Sequence, residues 1–129
     1  MFKKYFHFII PIIVLLGFFG YKYYQTIGIE QITTDQLAEM MNEEHQDVLY
    51  IDVREPHEFS DGHINGMVNF PLSELENTYD QILEDKTIVI FCRSGNRSLQ
   101  AANMLKDRGY QDLVNVKGGI LDWQGEVVK

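Results

Sequence analysis

The sequence predicts an α/β fold in which a three-layer domain, with a parallel sheet between helices, follows one transmembrane helix. Short apolar runs typical of buried strands alternate with helix-like segments over residues 31–129. Such alternation indicates a parallel sheet that is covered on both faces. A separate apolar stretch lies near the N-terminus. A length of 129 residues leaves room for one globular domain and one appendage.

The appendage occupies residues 1–24 and contains the N-terminal apolar stretch. Lys3 and Lys4 precede an apolar run over residues 5–21, and Lys22 follows it. This run is about the minimum length for a bilayer-spanning helix, and its aromatic ends suit the membrane interface. A removed signal peptide is the alternative, although no small-residue cleavage site follows the run. We therefore predict an uncleaved single-pass anchor that contacts the membrane through residues 5–21, with the domain on the extracytoplasmic side.

The rest of the chain is acidic. The whole chain has a formal net charge of −8, and three of its eleven basic residues lie in the anchor. The other eight stand against all nineteen acidic residues, a formal charge of −11. This balance disfavours binding to nucleic acid and docking on anionic lipid. The residues around Cys92 are locally basic, so we expect a basic pocket that admits a small anion.

The first half of the domain follows a predicted linker over residues 25–30. Thr33 and Gln36 have the spacing of a capping box, which predicts the start of a helix. The apolar run at residues 48–51 predicts a buried parallel strand. Proline at a first helical position predicts one helical turn at Pro56.

Each element of the second half is predicted from a local signal of capping, periodicity or apolar character. These elements are a brief strand at residues 67–70, a helix that a capping box at Ser73 and Glu76 opens, a strand at residues 87–91, a helix at residues 98–108, a strand at residues 113–116, and a last short helix that follows Gly118 and holds Trp123.

The single cysteine, Cys92, lies where the strand at residues 87–91 leads into the helix at residues 98–108. Free backbone N–H groups at the start of a helix favour an anion. Arg93 and Arg97 add positive charge, and both effects favour the ionised thiolate. An inert buried thiol is the alternative, but the polar residues that follow Cys92 argue against it. The position is also where ligands bind in parallel sheets, at the carboxyl ends of strands.

Four segments, in this order, resemble a single-domain rhodanese, a sulfurtransferase module related to the cell-cycle tyrosine phosphatases. They are residues 50–55, residues 58–71, the loop from Cys92 to Ser98, and residues 118–123. Met67 and Phe70 stand where the family usually has alanine and isoleucine. The loop runs over six residues from Cys92 to Arg97, the length that the family associates with sulfur transfer. Its phosphatase and arsenate-reducing relatives have one residue more.

The resemblance implies a sulfurtransferase that carries sulfane sulfur on Cys92 as a persulfide. A small anionic donor, thiosulfate or a persulfide, would load Cys92, and a thiol or cyanide would accept the sulfur. The predicted substrate-binding residues are those that follow Cys92 in the loop: Arg93, Ser94, Gly95, Asn96, Arg97 and Ser98. No cofactor and no metal are expected, since one cysteine and scattered histidines lack ligand spacing. A sulfur relay without turnover and a rhodanese-like interaction module are the alternatives.

Several charged residues near the loop have two interpretations. Arg93 either contacts an anionic donor or is a solvated loop residue. Asp52 and Arg54 end a predicted strand, where charged residues are more often paired for structure than used in chemistry. Glu55 is a candidate for a position near the pocket mouth. His63 is either a general base that faces Cys92 or a turn histidine that binds backbone.

The remaining residues near the loop have expected structural roles. Arg97 has the alternative role of pairing with a nearby acid. Asn96 and Ser98 are more consistent with hydrogen bonding at the start of the helix than with chemistry. Trp123 and Phe59 are predicted to pack in the core.

Overall fold

The computed structural model describes residues 2–129, and Met1, the first residue of the predicted anchor, lies outside them. Within this range the chain forms five strands and six α-helices. The strands are β1 (Glu30–Ile32), β2 (Val48–Asp52), β3 (Val68–Asn69), β4 (Thr87–Phe91) and β5 (Leu113–Val116). The helices are α1 (Phe6–Thr26), α2 (Thr34–Asn42), α3 (Pro56–Asp61), α4 (Leu75–Thr78), α5 (Asn96–Asp107) and α6 (Gly119–Asp122).

The five strands form one parallel sheet in the order β1-β5-β4-β2-β3. Successive residues of central β4 face opposite sides, as they must in a strand. Ile90 packs in one buried cluster with Leu105 of α5, and Phe91 packs in the other with Leu37 of α2. Helices therefore cover both faces, and the predicted α/β fold is confirmed.

Local signals predicted several elements correctly. The capping box of Thr33 and Gln36 is present at the start of α2, and Pro56 opens α3. The strands predicted at residues 87–91 and 113–116 match β4 and β5 in full. In each case the signal is contained in a few adjacent residues, so it does not depend on the rest of the fold.

Other elements differ from the prediction. Half of the predicted linker at residues 25–30 belongs to regular elements, because α1 continues to Thr26 and β1 begins at Glu30. Strand β1 was not predicted: it is a three-residue edge strand with two polar residues, and it forms by pairing with β5. Helix α5 begins at Asn96, two residues before its predicted start, and α6 ends at Asp122, so Trp123 follows the helix.

The capping box predicted at Ser73 does not form. The chain makes a 3-10 turn over Leu72–Glu74 and then the four-residue α4. The Ser73 hydroxyl instead donates to the Glu55 carboxylate, at 2.9 Å. The Ser73 hydroxyl therefore bonds to a tertiary partner, and the residues around it form short turns instead of the predicted helix.

Helix α1 is 21 residues long, and none of its residues is buried. By length and composition it is apolar enough to cross a membrane, a test that a signal sequence also meets. Its last turns lie beside α5. There the Asn103 side chain of α5 donates a hydrogen bond to the Gln25 carbonyl of α1, at 2.8 Å.

Candidate active site

Cys92 follows the last residue of β4, and its side chain is only 1% exposed. Three residues later the Gly95 N–H donates to Cys92 Sγ, at 3.0 Å. This contact requires Gly95 to adopt a φ of +102°, which glycine reaches without the strain that a side chain would add. The turn therefore directs a backbone donor at the sulfur, and such a donor stabilises negative charge there.

A chain of buried side chains continues from the sulfur. Cys92 Sγ lies 3.2 Å from Ser98 Oγ, and the Ser98 hydroxyl donates to Asn115 Oδ1 on β5. Asn115 Nδ2 in turn donates to Gln31 Oε1 on β1, at 2.9 Å. The single proton of the Ser98 hydroxyl is donated to Asn115 Oδ1, so the Ser98 oxygen is left to accept the hydrogen bond of the Cys92 thiol. Ser98 is therefore a partner for the thiol, and the Gly95 N–H is the donor directed at a thiolate.

The start of α6 supports the Cys92 loop from the other side. The Ile120 N–H donates to the Cys92 carbonyl at 3.0 Å, and the Leu121 N–H donates to the Arg93 carbonyl at 3.1 Å. In a trans peptide the N–H points opposite to the carbonyl. The next N–H groups in the loop, those of Arg93 and Ser94, therefore point away from α6.

This contact between backbones depends on Gly119, which has a φ of +54°. A Cβ atom at Gly119 would lie 2.4 Å from the Cys92 carbonyl oxygen and 2.5 Å from the Arg93 carbonyl. Both atoms belong to backbone, so neither can rotate aside. The close approach of α6 to the loop is therefore possible only for glycine.

Arg97 is paired with an acid of another helix and holds α5 to α3. Its guanidinium makes two hydrogen bonds to the Glu58 carboxylate, at 2.6 and 2.9 Å. The hydrogen bond with Arg97 is the main cause that lowers the pKa of Glu58 to about 2, and the same bond raises the pKa of Arg97. Arg97 is therefore paired with a nearby acid in the structure, which was the alternative role expected for it.

Asp52 and Arg54 form a buried ion pair beside the sheet. Arg54 Nη2 lies 2.7 Å from Asp52 Oδ2 and 2.8 Å from the Gly62 carbonyl oxygen. The Asn69 side chain donates to the carbonyls of both residues, at 2.9 Å each. These bonds tie the end of β2 to α3 and β3, which is the structural interpretation of the pair.

The side chains of His63 and Glu55 also form hydrogen bonds within the fold. His63 Nδ1 lies 2.8 Å from the Phe59 carbonyl oxygen, and the imidazole stacks on the Phe59 ring at 3.7 Å. His63 is thus a turn histidine bound to backbone. Glu55 precedes α3, is half-buried, and accepts the hydrogen bond from Ser73. Phe59 and Trp123 both pack against a buried cluster, as predicted.

The structure separates the predicted site residues into three groups. Gly95 and Ser98 contact the sulfur, and Arg97 is paired with Glu58. The third group is exposed at the outer side of the loop and consists of Arg93, Ser94 and Asn96. Among residues 2–129, no group of three or more His, Cys, Asp or Glu side chains is placed to hold a metal ion.

Sequence reasoning missed Asn115, Gln31 and the identity of the acid that pairs with Arg97. A signal for Asn115 was present, because it is the one polar residue among the four of β5. A buried amide in an apolar strand needs a hydrogen-bond partner. No comparable signal identifies Gln31 or Glu58, which lie 84 and 39 residues from their partners.

Fold and site together define an α/β domain with a cysteine on a hydrogen-bonding loop at the carboxyl end of a central parallel strand. The model of the rhodanese-like domain matches residues 33–126. The chain therefore belongs to the rhodanese-like domain family.

Known proteins are similar over most of the chain. The uncharacterized protein YqhL of Bacillus subtilis (strain 168) is 33% identical over 118 residues, which cover 92% of this chain and 94% of YqhL. A sulfurtransferase of Allochromatium vinosum is 34% identical over 95 residues, 74% of this chain and 88% of that protein. The crystal structure of a rhodanese-related protein from Thermoplasma volcanium matches with a TM-score of 0.66 and 33% sequence identity. The match covers 77% of this chain and 97% of the chain in that crystal structure.

Proposed function

We propose that the chain is a sulfurtransferase that moves sulfane sulfur from thiosulfate or a persulfide donor to a thiol or cyanide acceptor. The observation that carries this proposal is the environment of Cys92. In the six-residue loop at the end of β4, the Cys92 sulfur accepts a hydrogen bond from the Gly95 N–H and lies next to the Ser98 hydroxyl. The sulfurtransferase from Allochromatium vinosum, among the similar proteins, supports the same activity.

The reaction has two displacement steps. In the first, the Cys92 thiolate attacks the outer sulfur of thiosulfate, a new S–S bond forms, and the old S–S bond breaks as sulfite leaves with the electron pair. In the second, cyanide or a thiolate attacks the outer sulfur of the Cys92 persulfide. Thiocyanate or a new persulfide leaves, and the Cys92 thiolate is regenerated.

Each residue of the loop has a proposed role in these steps. The N–H groups of the loop, that of Gly95 included, stabilise the negative charge on the attacking and transferred sulfur. Ser98 accepts the hydrogen bond of the Cys92 thiol before the thiol ionises. Exposed Arg93, with Ser94 and Asn96, meets an anionic donor at the mouth. Arg97 acts indirectly, because its pairing with Glu58 fixes the first turn of α5.

The proposal also covers the organisation of the chain. Residues 1–24 form an anchor that spans the membrane once, and residues 31–129 form the catalytic domain. The excess of positive charge before the span favours placement of the domain on the extracytoplasmic side. The apolar, unburied surface of α1 supports an anchor.

The test is the intact mass of the full chain in detergent, measured after incubation with thiosulfate and again after cyanide. We expect a gain of one sulfur atom, about 32 Da, which cyanide then removes. Cys92→Ser must abolish the gain. No gain with thiosulfate or with glutathione persulfide would contradict the proposal and favour an interaction module.

A matched control separates the site from mere thiol reactivity. Ser60 lies exposed on α3 and is not part of the loop. Cys92→Ser combined with Ser60→Cys keeps one thiol in the chain but places it in solvent. We expect this variant to gain no sulfur from thiosulfate. If the variant gained sulfur as fast as the native chain does, the loop would have no part in the reaction.

A further inference from the structure

Helices α1 and α5 are connected near their C-terminal ends. The Asn103 side chain donates to the Gln25 carbonyl at 2.8 Å, and Lys106 Nζ donates to the Ile27 carbonyl at 2.9 Å. Both acceptors are carbonyls at the end of α1, where no further helical N–H is available to them. The two bonds thus fix the domain against the last turn of α1.

The two helices are also adjacent at the start of α5. Phe18 and Lys22 of α1 line a cavity of about 420 Å³ together with Asn96 and Gln100 of α5. Gln25 lies seven positions after Phe18 in the sequence, and Asn103 lies seven positions after Asn96. The helices therefore run side by side in the same direction, and the start of α5 is level with Phe18–Lys22.

This arrangement places the Cys92 loop beside the end of the apolar run. The run over residues 5–21 has 17 residues, which span about 25 Å at the helical rise. A bilayer has a hydrocarbon core of about 30 Å, so a spanning α1 has no apolar turn to spare. Phe18 must then lie within the bilayer or its interface. The Cys92 loop, which immediately precedes α5, lies at the level of the lipid headgroups.

The exposed charges at this level suit a headgroup layer. Lys22 of α1 and Arg93 of the loop are both exposed, and such side chains place their charged ends among headgroups. The chain beyond the anchor is strongly acidic, so contact with a bilayer is favourable only through a locally basic side. On the side of the loop and the end of α1, Lys22 and Arg93 supply exposed positive charge.

We propose that the Cys92 loop opens at the lipid headgroup layer and transfers sulfur to small amphiphilic thiols that are partitioned into the membrane surface. This inference rests on the proposed sulfur transfer. The thiolate of an alkyl-chain thiol attacks the outer sulfur of the Cys92 persulfide, an alkyl persulfide leaves, and the Cys92 thiolate returns. The acceptor therefore reaches the loop along the bilayer rather than from bulk water.

The first test measures where the loop lies, independently of activity. The full chain is placed in phosphatidylcholine nanodiscs in a Cys92→Ser background, with one nitroxide at Asn96→Cys or, as a matched control, at Asp107→Cys. Both positions are exposed, at opposite ends of α5, and about 16 Å apart along the helix. We expect collisions with a water-soluble nickel chelate to be several-fold fewer at position 96. Equal collision rates at both positions would overturn the inference.

The second test measures the acceptor. The full chain in phosphatidylcholine vesicles is loaded with thiosulfate and offered N-acetyl-cysteamine or N-decanoyl-cysteamine, which share the thiol and the amide but differ in the length of the acyl chain. We expect the decanoyl acceptor to react at least about tenfold faster at equal total concentration, because its chain partitions into the bilayer. Equal rates, with cyanide still accepting sulfur, would overturn this inference and leave the proposed function intact. Failure of cyanide as well would instead refute the proposed function.

A variant pair separates placement of the loop from simple enrichment of the acceptor. Lys106→Ala with Asn103→Ala removes both bonds between α5 and α1. Lys86 also donates to a distant backbone carbonyl, that of Gln46 at 2.7 Å, so Lys86→Ala is the matched control. We expect only the first variant to lose its preference for the decanoyl acceptor while its rate with cyanide stays unchanged. An unchanged preference in that variant would overturn the inference.

Discussion

Replacement of Gly119 by alanine tests whether the contact between α6 and the Cys92 loop holds the site in shape. The added Cβ would lie 2.4 Å from the Cys92 carbonyl oxygen, so the backbone must separate. Separation breaks the hydrogen bonds that Ile120 and Leu121 donate to the loop. The carbonyls of Cys92 and Arg93 would then be free to turn, and with them the N–H groups that we assign to the sulfur.

The magnitude follows from three contributions. A left-handed conformation costs a residue with a side chain about 1–2 kcal/mol. Two lost hydrogen bonds cost about 1 kcal/mol each, and the displaced backbone adds about 1 kcal/mol more. We expect Gly119→Ala to lower the free energy of unfolding by about 4–5 kcal/mol, a large part of the stability of a domain of this size.

Gly109→Ala is the matched control. Gly109 also has a positive φ, +97°, but no atom lies within 4 Å of the position of its Cβ. The control therefore measures the left-handed cost alone, about 1–2 kcal/mol. Urea unfolding of the full chain in detergent, followed by the fluorescence of its single tryptophan Trp123, gives both values. Equal destabilisation by the two substitutions would refute the reasoning, as would normal sulfur loading in a folded Gly119→Ala chain.

Two further predictions concern charges near the loop. The pKa of Glu58 is lowered to about 2 from an ordinary 4.5, so its ion pair with Arg97 stabilises the fold fully above about pH 4.5 and loses this effect as the pH falls towards 2. Glu58→Gln should therefore lower the free energy of unfolding by about 1–3 kcal/mol at pH 7 and flatten its decline towards acid pH. Urea unfolding of both chains from pH 7 to pH 3 measures this, and parallel pH profiles for the variant and the native chain would contradict it. Arg93→Ala should raise the apparent KM for thiosulfate several-fold with little change in kcat, and unchanged steady-state kinetics would show that Arg93 does not contact the donor.

The strand that leads to the site and the place of its cysteine were predictable because their signals are local. Five successive residues of β4, four of them apolar, precede Cys92, and a helix-forming stretch follows. The capping box at Thr33 and the proline at Pro56 are equally local. Such signals act within one or two turns of chain, so they hold in the fold unless a tertiary partner competes. At Ser73 the hydroxyl bonds to the Glu55 carboxylate and the chain forms a 3-10 turn, so there the local prediction was wrong.

The partners of the site depend on the sheet order, which no local pattern contains. Strand β1 has two polar residues of three and forms only because β5 offers an edge, and that pairing brings Gln31 to Asn115 and thus to Ser98 and the sulfur. The ion pair of Arg97 and Glu58 likewise joins residues 39 positions apart. Propensity and periodicity describe how a segment folds on itself, so they predict the strand, the position of Cys92 after it and the loop that follows. Which side chains meet across the chain is decided by the tertiary packing alone, because the free energy of those contacts exists only once the strands and helices are assembled.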